Sequence, residues 1–176
     1  QYLHVSDDMG DTWKIISPDL TTNDKSKQMQ SESGGLSMDN SGAENHTTIF
    51  TIAESPIDQN VIWVGTDDGN VQLTTDGGNS WRNLISNING VPKNTWVYHI
   101  EPSVHNLGTA YVVFDGHTTG DMNAYTYKTE DFGLTWENII PNNDVHGFAR
   151  SIQEDYINPN LLFLGTEFGL YISING

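Results

Sequence analysis

Three apolar runs of the sequence each end in a carboxylate, at nearly regular intervals. Asp67, Asp115 and Glu167 close these runs, 48 (115 − 67) and 52 (167 − 115) residues apart. Such carboxylates can bind a ligand or a cation, or transfer protons. They can also cap a strand by accepting hydrogen bonds from backbone N–H groups of their own loop. Because the position recurs in every repeat, capping is the favoured interpretation for Asp67 and Glu167.

The segment after the second run departs from the other two and holds the strongest functional candidates. Asp115-Gly116-His117, followed by Asp121, replaces the Gly-Thr-Asp/Glu ending of the other runs. We expect Asp115 and Asp121 to be the catalytic carboxylates if the chain is an enzyme, and an ordinary polar loop is the alternative. The predicted ligand-binding set consists of Asp67, Asp68, Asp115, His117, Asp121 and Glu167.

The sequence gives little support for a bound metal. No histidine spacing matches a zinc site, and His99 and His105 are more readily explained as structural residues. Asp- and Asn-rich turns offer oxygen ligands that suit calcium. None of them has the Asp-x-Asp-x-Asp-Gly pattern of a helical calcium loop. We therefore predict no cofactor and assign no metal site, with calcium binding left open.

The charge balance limits the choice of partners. The 176 residues include 23 Asp and Glu but only 7 Lys and Arg, which gives a formal net charge of −16. This excess argues against nucleic acid and anionic membrane surfaces, and it favours neutral ligands or cations. There is no Cys, and no apolar run approaches the roughly 20 residues of a membrane span.

An eight-residue pattern, Ser/Thr-x-Asp-x-Gly-x-Ser/Thr-Trp, occurs three times and begins a fourth time at the end of the chain. The short Asp side chain can accept hydrogen bonds from the backbone N–H groups that follow it. Gly can take a positive φ, and Trp buries a large ring while keeping one N–H donor. The pattern predicts a tight turn between two strands. Its residues are Ser6, Asp8, Gly10, Thr12 and Trp13; Thr74, Asp76, Gly78, Ser80 and Trp81; Thr129, Asp131, Gly133, Thr135 and Trp136; and, in the last copy, Ser173 and Asn175.

Turns and apolar runs together define a repeat. A period of roughly 50 residues with about four short strands is typical of β-propeller blades. We predict an all-β chain, a β-propeller segment of four-stranded antiparallel blades, with two complete and two partial blades of a larger propeller. The predicted division is a partial blade at 1–16, a long polar loop at 17–46, blades at 47–85 and 95–140, and a partial blade at 148–176.

Alternating strand directions assign the loops of each blade to two faces. The eight-residue turns join the third and fourth strands, whereas the carboxylates follow the second strand. The two sets therefore belong to opposite faces, and the carboxylate face is the predicted functional face. It also carries the connections between blades, at residues 17–47, 86–95 and 141–147.

The eight-residue pattern resembles the Asp-box, or bacterial neuraminidase repeat, of many β-propellers. Four stretches look like the large secreted Asp-box proteins of bacteria, which are described as sortilin-like or glycosyl-hydrolase-like. This resemblance implies a secreted, periplasmic or cell-surface protein whose boxes lie on the blade periphery, away from the active face. The stretches are Thr47–Pro56, Val61–Gly69, Ala110–His117 and Asn158–Tyr171.

The resemblance implies two functions. The leading expectation is a binding or scaffold module for glycan or peptide ligands, as in sortilin-type receptors. The alternative is part of a glycoside hydrolase with paired carboxylates. A sialidase is disfavoured, because that family clamps its substrate with three arginines and this chain has only Arg82 and Arg150. The chain starts on a strand and ends inside a box, so we expect further blades of a longer protein, or a partner copy, to complete it.

Overall fold

The computed structural model describes residues 1–29, 46–140 and 144–176, and within these ranges the regular structure consists of strands and short 3-10 turns. Thirteen strands form four antiparallel sheets. The predicted fold class, a segment of a β-propeller, is confirmed. The strands are β1 (His4–Val5), β2 (Lys14–Ile15), β3 (Ile49–Glu54), β4 (Ile62–Thr66), β5 (Val71–Thr74), β6 (Arg82–Asn83), β7 (Trp96–Pro102), β8 (Ala110–Asp115), β9 (Tyr125–Thr129), β10 (Glu137–Asn138), β11 (Ala149–Glu154), β12 (Leu162–Thr166) and β13 (Gly169–Ser173).

Each sheet is a meander, in which every strand pairs with the next strand along the chain. The first sheet contains β1 and β2, the second β3 to β6, the third β7 to β10, and the fourth β11 to β13. The 3-10 turns are Lys25–Lys27, Ile85–Asn87 and His117–Thr119. The last of them lies in the loop after β8, which the sequence marked as the strongest functional candidate.

The eight-residue turns join β1 to β2, β5 to β6 and β9 to β10, and all three use the same hydrogen bonds. In the third turn, Thr129 Oγ1 donates to Asp131 Oδ1 at 2.9 Å and accepts from Gly133 N–H at 2.9 Å. Asp131 also accepts from Thr135 N–H and from Thr135 Oγ1, at 2.9 and 2.6 Å. The Asp side chain therefore holds the turn closed from within. Equivalent bonds are made by Ser6, Asp8, Gly10 and Thr12, and by Thr74, Asp76, Gly78 and Ser80.

The tryptophans that end these turns do not all bury their rings. Trp136 packs edge-on against Trp63 of the second sheet, with ring centroids 6.1 Å apart. Trp81 donates its indole N–H to Ile16 O and so ties the second sheet to the first. Trp13 is 62% exposed, contrary to the prediction of a buried ring, because the first sheet has only two strands and offers its turn no packing surface.

The core lies between the sheets. All six residues of β8 are buried, and alternate side chains of a strand point to opposite faces of its sheet. Val112 packs with Trp63 of the second sheet, whereas Val113 packs with Ile152 of the fourth. Each complete sheet therefore depends on a neighbour on both sides for its burial of apolar surface.

The long polar segment is described only in part. Leu20 is buried, and its carbonyl oxygen accepts hydrogen bonds from Asn70 Nδ2 and Gln72 Nε2, at 3.1 and 2.8 Å. These contacts hold the start of the segment against the second sheet. Residues 30–45, which include most of the predicted loop, and residues 141–143 of the last connection between blades lie outside the described residues.

The turn chemistry predicts the effect of removing one carboxylate. Asp131→Ala removes the hydrogen bonds from Thr129 Oγ1, Thr135 N–H and Thr135 Oγ1, so we expect the free energy of unfolding of the intact protein to fall by about 1–3 kcal/mol. Glu130→Ala is the matched control, because Glu130 is exposed and makes only a surface ion pair with Lys128, which contributes about 0–1 kcal/mol. Chemical denaturation measures both. An Asp131→Ala protein that unfolds like the control would refute this account of the turn.

Candidate functional site

The three carboxylates that close the apolar runs occupy the same position in their sheets. Asp67 N–H donates to Thr48 O at 3.1 Å, and Glu167 N–H donates to Phe148 O at 3.0 Å. Asp115 pairs with Trp96 at the matching place in the third sheet. All three carboxylates therefore lie at the end of the second strand, beside the start of the first strand. We refer to this end of the sheets as the strand-end face.

Asp67 and Asp68 are both buried, at 5% and 2% exposure. Asp67 accepts from Thr48 N–H and Thr48 Oγ1, at 2.6 and 3.0 Å. Asp68 accepts from Thr22 N–H and Thr22 Oγ1, both at 2.7 Å, and from Thr66 Oγ1. These contacts make Asp67 a strand cap, and they make Asp68 an anchor for the segment that contains Thr22. Both side chains are thus engaged in holding the chain, and their membership of the ligand-binding set stays a prediction.

Glu167 differs from its two counterparts, because it is exposed. Its backbone N–H makes the strand-end bond to Phe148 O, but its side chain is not enclosed by any neighbouring sheet of the described residues. Its carboxylate therefore remains accessible, and its role as a ligand-binding residue stays a prediction.

Asp115 lies at the centre of a compact cluster. Its side chain has 0% exposure, and it accepts from His117 N–H at 2.9 Å. His117 Nδ1 lies 2.8 and 2.9 Å from the two carboxylate oxygens. Because a carboxylate can only accept, this contact fixes the proton on Nδ1 and leaves Nε2 as the acceptor nitrogen when the ring is neutral. A carboxylate so enclosed is placed to position His117 rather than to contact a substrate, and a catalytic role for Asp115 stays a prediction.

Arg150 of the fourth sheet completes this cluster. Its Nε lies 3.1 Å from Asp115 Oδ2, an ion pair in which the N–H does not point directly at the oxygen. Its Nη1 donates to Tyr98 OH at 2.8 Å, and its Nη2 lies 3.3 Å from His117 Nε2. The guanidinium also covers the Phe148 ring at 4.9 Å. One arginine thus joins the third and fourth sheets through an ion pair, a hydrogen bond and stacking.

A repeated β-bulge places Arg150 in this position. The pairing of the first two strands slips by one residue between Ile49 and Thr51, between Val97 and His99, and between Ala149 and Ser151. A bulge inserts one residue and redirects its side chain. The inserted residues have the same spacing, 48 (98 − 50) and 52 (150 − 98), as the strand-end carboxylates. They are Phe50, Tyr98 and Arg150, which we call the bulge row.

Asp121 is the accessible carboxylate of the loop after β8. It accepts from Tyr125 OH at 2.8 Å, and from Asn123 N–H and Nδ2 at 3.1 and 2.7 Å. Partial burial acts to raise the pKa of Asp121, but the hydrogen bonds from Tyr125 and Asn123 outweigh it and lower the pKa. The carboxylate therefore stays ionised near neutral pH, which suits a base or a nucleophile rather than an acid.

A second polar cluster joins the same two sheets at their opposite end. Glu154 is buried, and it accepts from Ser103 Oγ, Val104 N–H and Tyr111 OH, at 2.7, 3.0 and 3.1 Å. Glu101 lies nearby and accepts from Gln153 Nε2. Burial first, and the charge of Glu154 to a smaller extent, raise the pKa of Glu101 to about 7, although the hydrogen bond from Gln153 acts to lower it. Glu54 and Glu154 are the last paired residues of their strands, whereas Glu101 pairs with Tyr111, one position before the end of its strand.

Residues 1–29, 46–140 and 144–176 contain neither a metal-binding cluster nor a membrane-spanning helix. In these ranges no three His, Asp or Glu side chains come close enough together to hold a metal ion. Within the same ranges, no helix has the length and apolar character needed to cross a membrane. The two arginines do not share a site. Arg82 of β6 donates to Phe132 O in the turn between β9 and β10, whereas Arg150 of β11 pairs with Asp115.

Comparison with known proteins finds one partial sequence match and several solved structures of similar fold. No protein-family model matches it. It is 26% identical over 94 residues to an oligoxyloglucan-reducing end-specific xyloglucanase of Emericella nidulans, a match that covers 50% of this chain and 10% of the relative. The chain therefore spans only a small part of that enzyme.

Solved structures give the same fold at lower identity. A GH74 xyloglucanase from Xanthomonas campestris matches 99% of this chain and 26% of its own, with a TM-score of 0.64 and 20% identity. YCF48 bound to D1 peptide matches 73% of this chain and 37% of its own, with a TM-score of 0.53 and 18% identity. Both matches show a β-propeller segment that covers a fraction of a larger propeller.

The raised pKa of Glu101 predicts a pH-dependent stability. A carboxyl whose pKa is higher in the folded state than in the unfolded state stabilises the fold while it is protonated, and this contribution is lost as pH rises from about 4.5 to 7. We expect the free energy of unfolding of the intact protein to fall by about 2 kcal/mol between pH 5 and pH 8, less than the full shift implies, because water reaches part of the side chain.

Glu101→Gln isolates this contribution, because it removes the titrating proton and keeps the shape of the side chain. Burial lowers the pKa of His99, and this group opposes the trend on the acid side, so the difference between wild type and variant is the informative quantity. Urea denaturation at several pH values measures it. A wild type and a Glu101→Gln protein with parallel pH profiles would contradict the prediction.

Proposed function

We propose that this chain is a segment of an extracellular Asp-box β-propeller that binds a polysaccharide and takes part in the hydrolysis of its glycosidic bonds. The observation that carries the proposal is the presence of two features on one face. The ionised, half-buried carboxylate of Asp121 and the half-buried planar groups of Arg150 and Tyr98 both lie at the strand-end face. A glycosidase needs a carboxylate for chemistry beside a surface that positions the sugar.

The comparisons support hydrolysis more than a purely scaffolding function. The curated relative with a sequence match is a xyloglucanase, and the same fold occurs in a bacterial GH74 xyloglucanase. Because fold alone does not determine function, the local chemistry at Asp121 is the second support. The net charge of −16 also fits a neutral polysaccharide better than an acidic one.

In this proposal the two candidate carboxylates have different roles. Asp121 acts as the base or nucleophile, since hydrogen bonds hold it ionised. Asp115 positions His117 and Arg150 and does not touch the substrate. A glycosidase also needs a carboxylic acid roughly 5–9.5 Å from the first carboxylate. Glu167 on the next sheet, or a residue elsewhere in the longer protein, would supply it.

Several further features belong to the proposal. The eight-residue turns act as Asp-boxes that hold the outer strands, at the end of the sheets away from the ligand. Further blades of the longer protein, or a partner copy, cover the fourth sheet, where Leu170, Ile172 and Ile174 are 63%, 57% and 79% exposed. Calcium is retained as an ion to test, because the oxygen-rich turns suit it.

A binding module without catalysis is the second candidate. The buried state of Asp67, Asp68 and Asp115 favours it, because most carboxylates of the strand-end face are used to hold the strands. In that case the chain would bind a glycan or a peptide in the manner of a sortilin-like receptor. The structure of YCF48 with D1 peptide shows that a protein of similar fold has been solved with a peptide.

Hydrolysis of neutral polysaccharides tests the proposal. We expect the intact protein to release reducing ends from at least one member of a panel that includes xyloglucan, and Asp121→Asn to lower the rate by about a hundredfold or more. Asp58→Asn is the matched control, because Asp58 lies in the turn between β3 and β4 at the opposite end of the second sheet. Parallel assays with calcium and with a chelator establish whether the ion matters.

One result would contradict the role of Asp121, and another would contradict hydrolysis itself. Full activity of the Asp121→Asn protein would remove Asp121 from the mechanism. No release from any polysaccharide, in a protein that still binds one of them, would favour the binding module over the hydrolase.

A further inference from the structure

We infer that the bulge row, Phe50, Tyr98 and Arg150, is a stacking platform for a neutral sugar chain that runs across three neighbouring blades. The choice of a sugar as the ligand rests on the proposed function. The geometry of the row does not depend on any catalytic residue. None of the three residues was among those that the sequence suggested as functional. The bulges and the contacts between their side chains carry the argument.

The side chains of the row touch one another in order. The Phe50 ring lies 5.1 Å from the Tyr98 ring, and the Arg150 guanidinium lies 4.6 Å from the same Tyr98 ring. Trp96 extends the surface, with its centroid 5.3 Å from that of Phe50. Planar groups from three sheets therefore form one continuous strip, and every residue of the row comes from the same position of its blade.

The strip is exposed at Phe50 and half-buried at Trp96, Tyr98 and Arg150. Phe50 is 42% exposed and the Arg150 side chain is 39% exposed. A large aromatic ring exposed to this degree at one site is common, but three equivalent bulge residues in contact form a patch. Contiguous exposed apolar or aromatic patches mark binding sites. Bulges beside functional sites serve to redirect side chains in this way.

The charge of the strip selects among ligands. Arg150 is its cation, and the Asp115 carboxylate 3.1 Å away neutralises it. The guanidinium therefore offers a flat face rather than a free charge, and the net charge of −16 repels polyanions. The C–H faces of a neutral pyranose are apolar and pack on aromatic rings, while its hydroxyl groups remain free for hydrogen bonds. A neutral glycan fits these properties better than an acidic glycan.

The strip runs across several blades, and its length predicts how binding depends on the length of the ligand. The row crosses from the second sheet to the fourth, so a sugar chain must contact several blades to cover it. Binding should therefore strengthen with the number of sugar units until the row is spanned. A site that recognised one sugar unit would show no such dependence on length.

Binding is tested in the intact protein with Asp121→Asn as background, so that hydrolysis does not consume the ligand. The probes are xyloglucan oligosaccharides of increasing length, polygalacturonate as an acidic polysaccharide, and a casein hydrolysate as a peptide source. Isothermal titration calorimetry gives the affinities. Phe50→Ala and Tyr98→Ala are each expected to weaken binding of the longest neutral oligosaccharide by about tenfold, and Tyr98→Phe is expected to stay within about twofold.

The matched control is Tyr156→Ala, because Tyr156 is 74% exposed and follows β11 at the opposite end of the fourth sheet. Retained affinity in both Phe50→Ala and Tyr98→Ala would overturn the platform, and so would tighter binding of polygalacturonate or of casein peptides than of the neutral sugar. Melting curves show whether Tyr98→Ala remains folded, and Phe50→Ala decides the outcome if it does not.

The test also separates this inference from the proposed function. Binding that depends on the row in a protein without hydrolytic activity would support the platform and refute the hydrolase. Hydrolysis and binding that are both unaffected by the row variants would support the hydrolase and refute the platform.

Discussion

Each complete sheet of this chain buries side chains on both of its faces, and the rest of the structure follows from that constraint. β8 is buried along its whole length, with Val112 packed towards the second sheet and Val113 towards the fourth. A sheet of this kind cannot be stable in water without neighbours. Its broad faces are therefore used for packing. The strand ends and the first strand of each sheet, which carries the bulge row, remain for recognition.

Within this frame the repeat uses equivalent positions for different purposes. The carboxylate after the second strand caps Thr48 in the second sheet, whereas in the third sheet Asp115 holds His117 and Arg150. The same holds for the bulge residue, which changes from Phe50 to Tyr98 to Arg150. The boundary between the second and third sheets is apolar, while the boundary between the third and fourth carries polar clusters at both ends. The proposed site lies at this polar boundary.

Much of the fold follows from the sequence, because its signals are local and repeated. The Asp131 turn, the buried β8 strand and the division of loops between two faces can all be predicted from spacing and residue type. The bulges cannot, because an inserted residue leaves no mark in the apolar pattern and appears only in the pairing of two strands. The sequence therefore draws attention to Arg150 only in the argument against a sialidase. Its 52-residue distance from Tyr98 nevertheless equals the distance between Asp115 and Glu167.

The most direct test of the central claim is a structure of the intact Asp121→Asn protein bound to a neutral oligosaccharide. Our account predicts that sugar rings pack on Tyr98 and Phe50 at the strand-end face, with the side chain at position 121 beside the ligand. Sugar bound instead at the end that carries the Asp131 turn, or on another part of the protein, would contradict it.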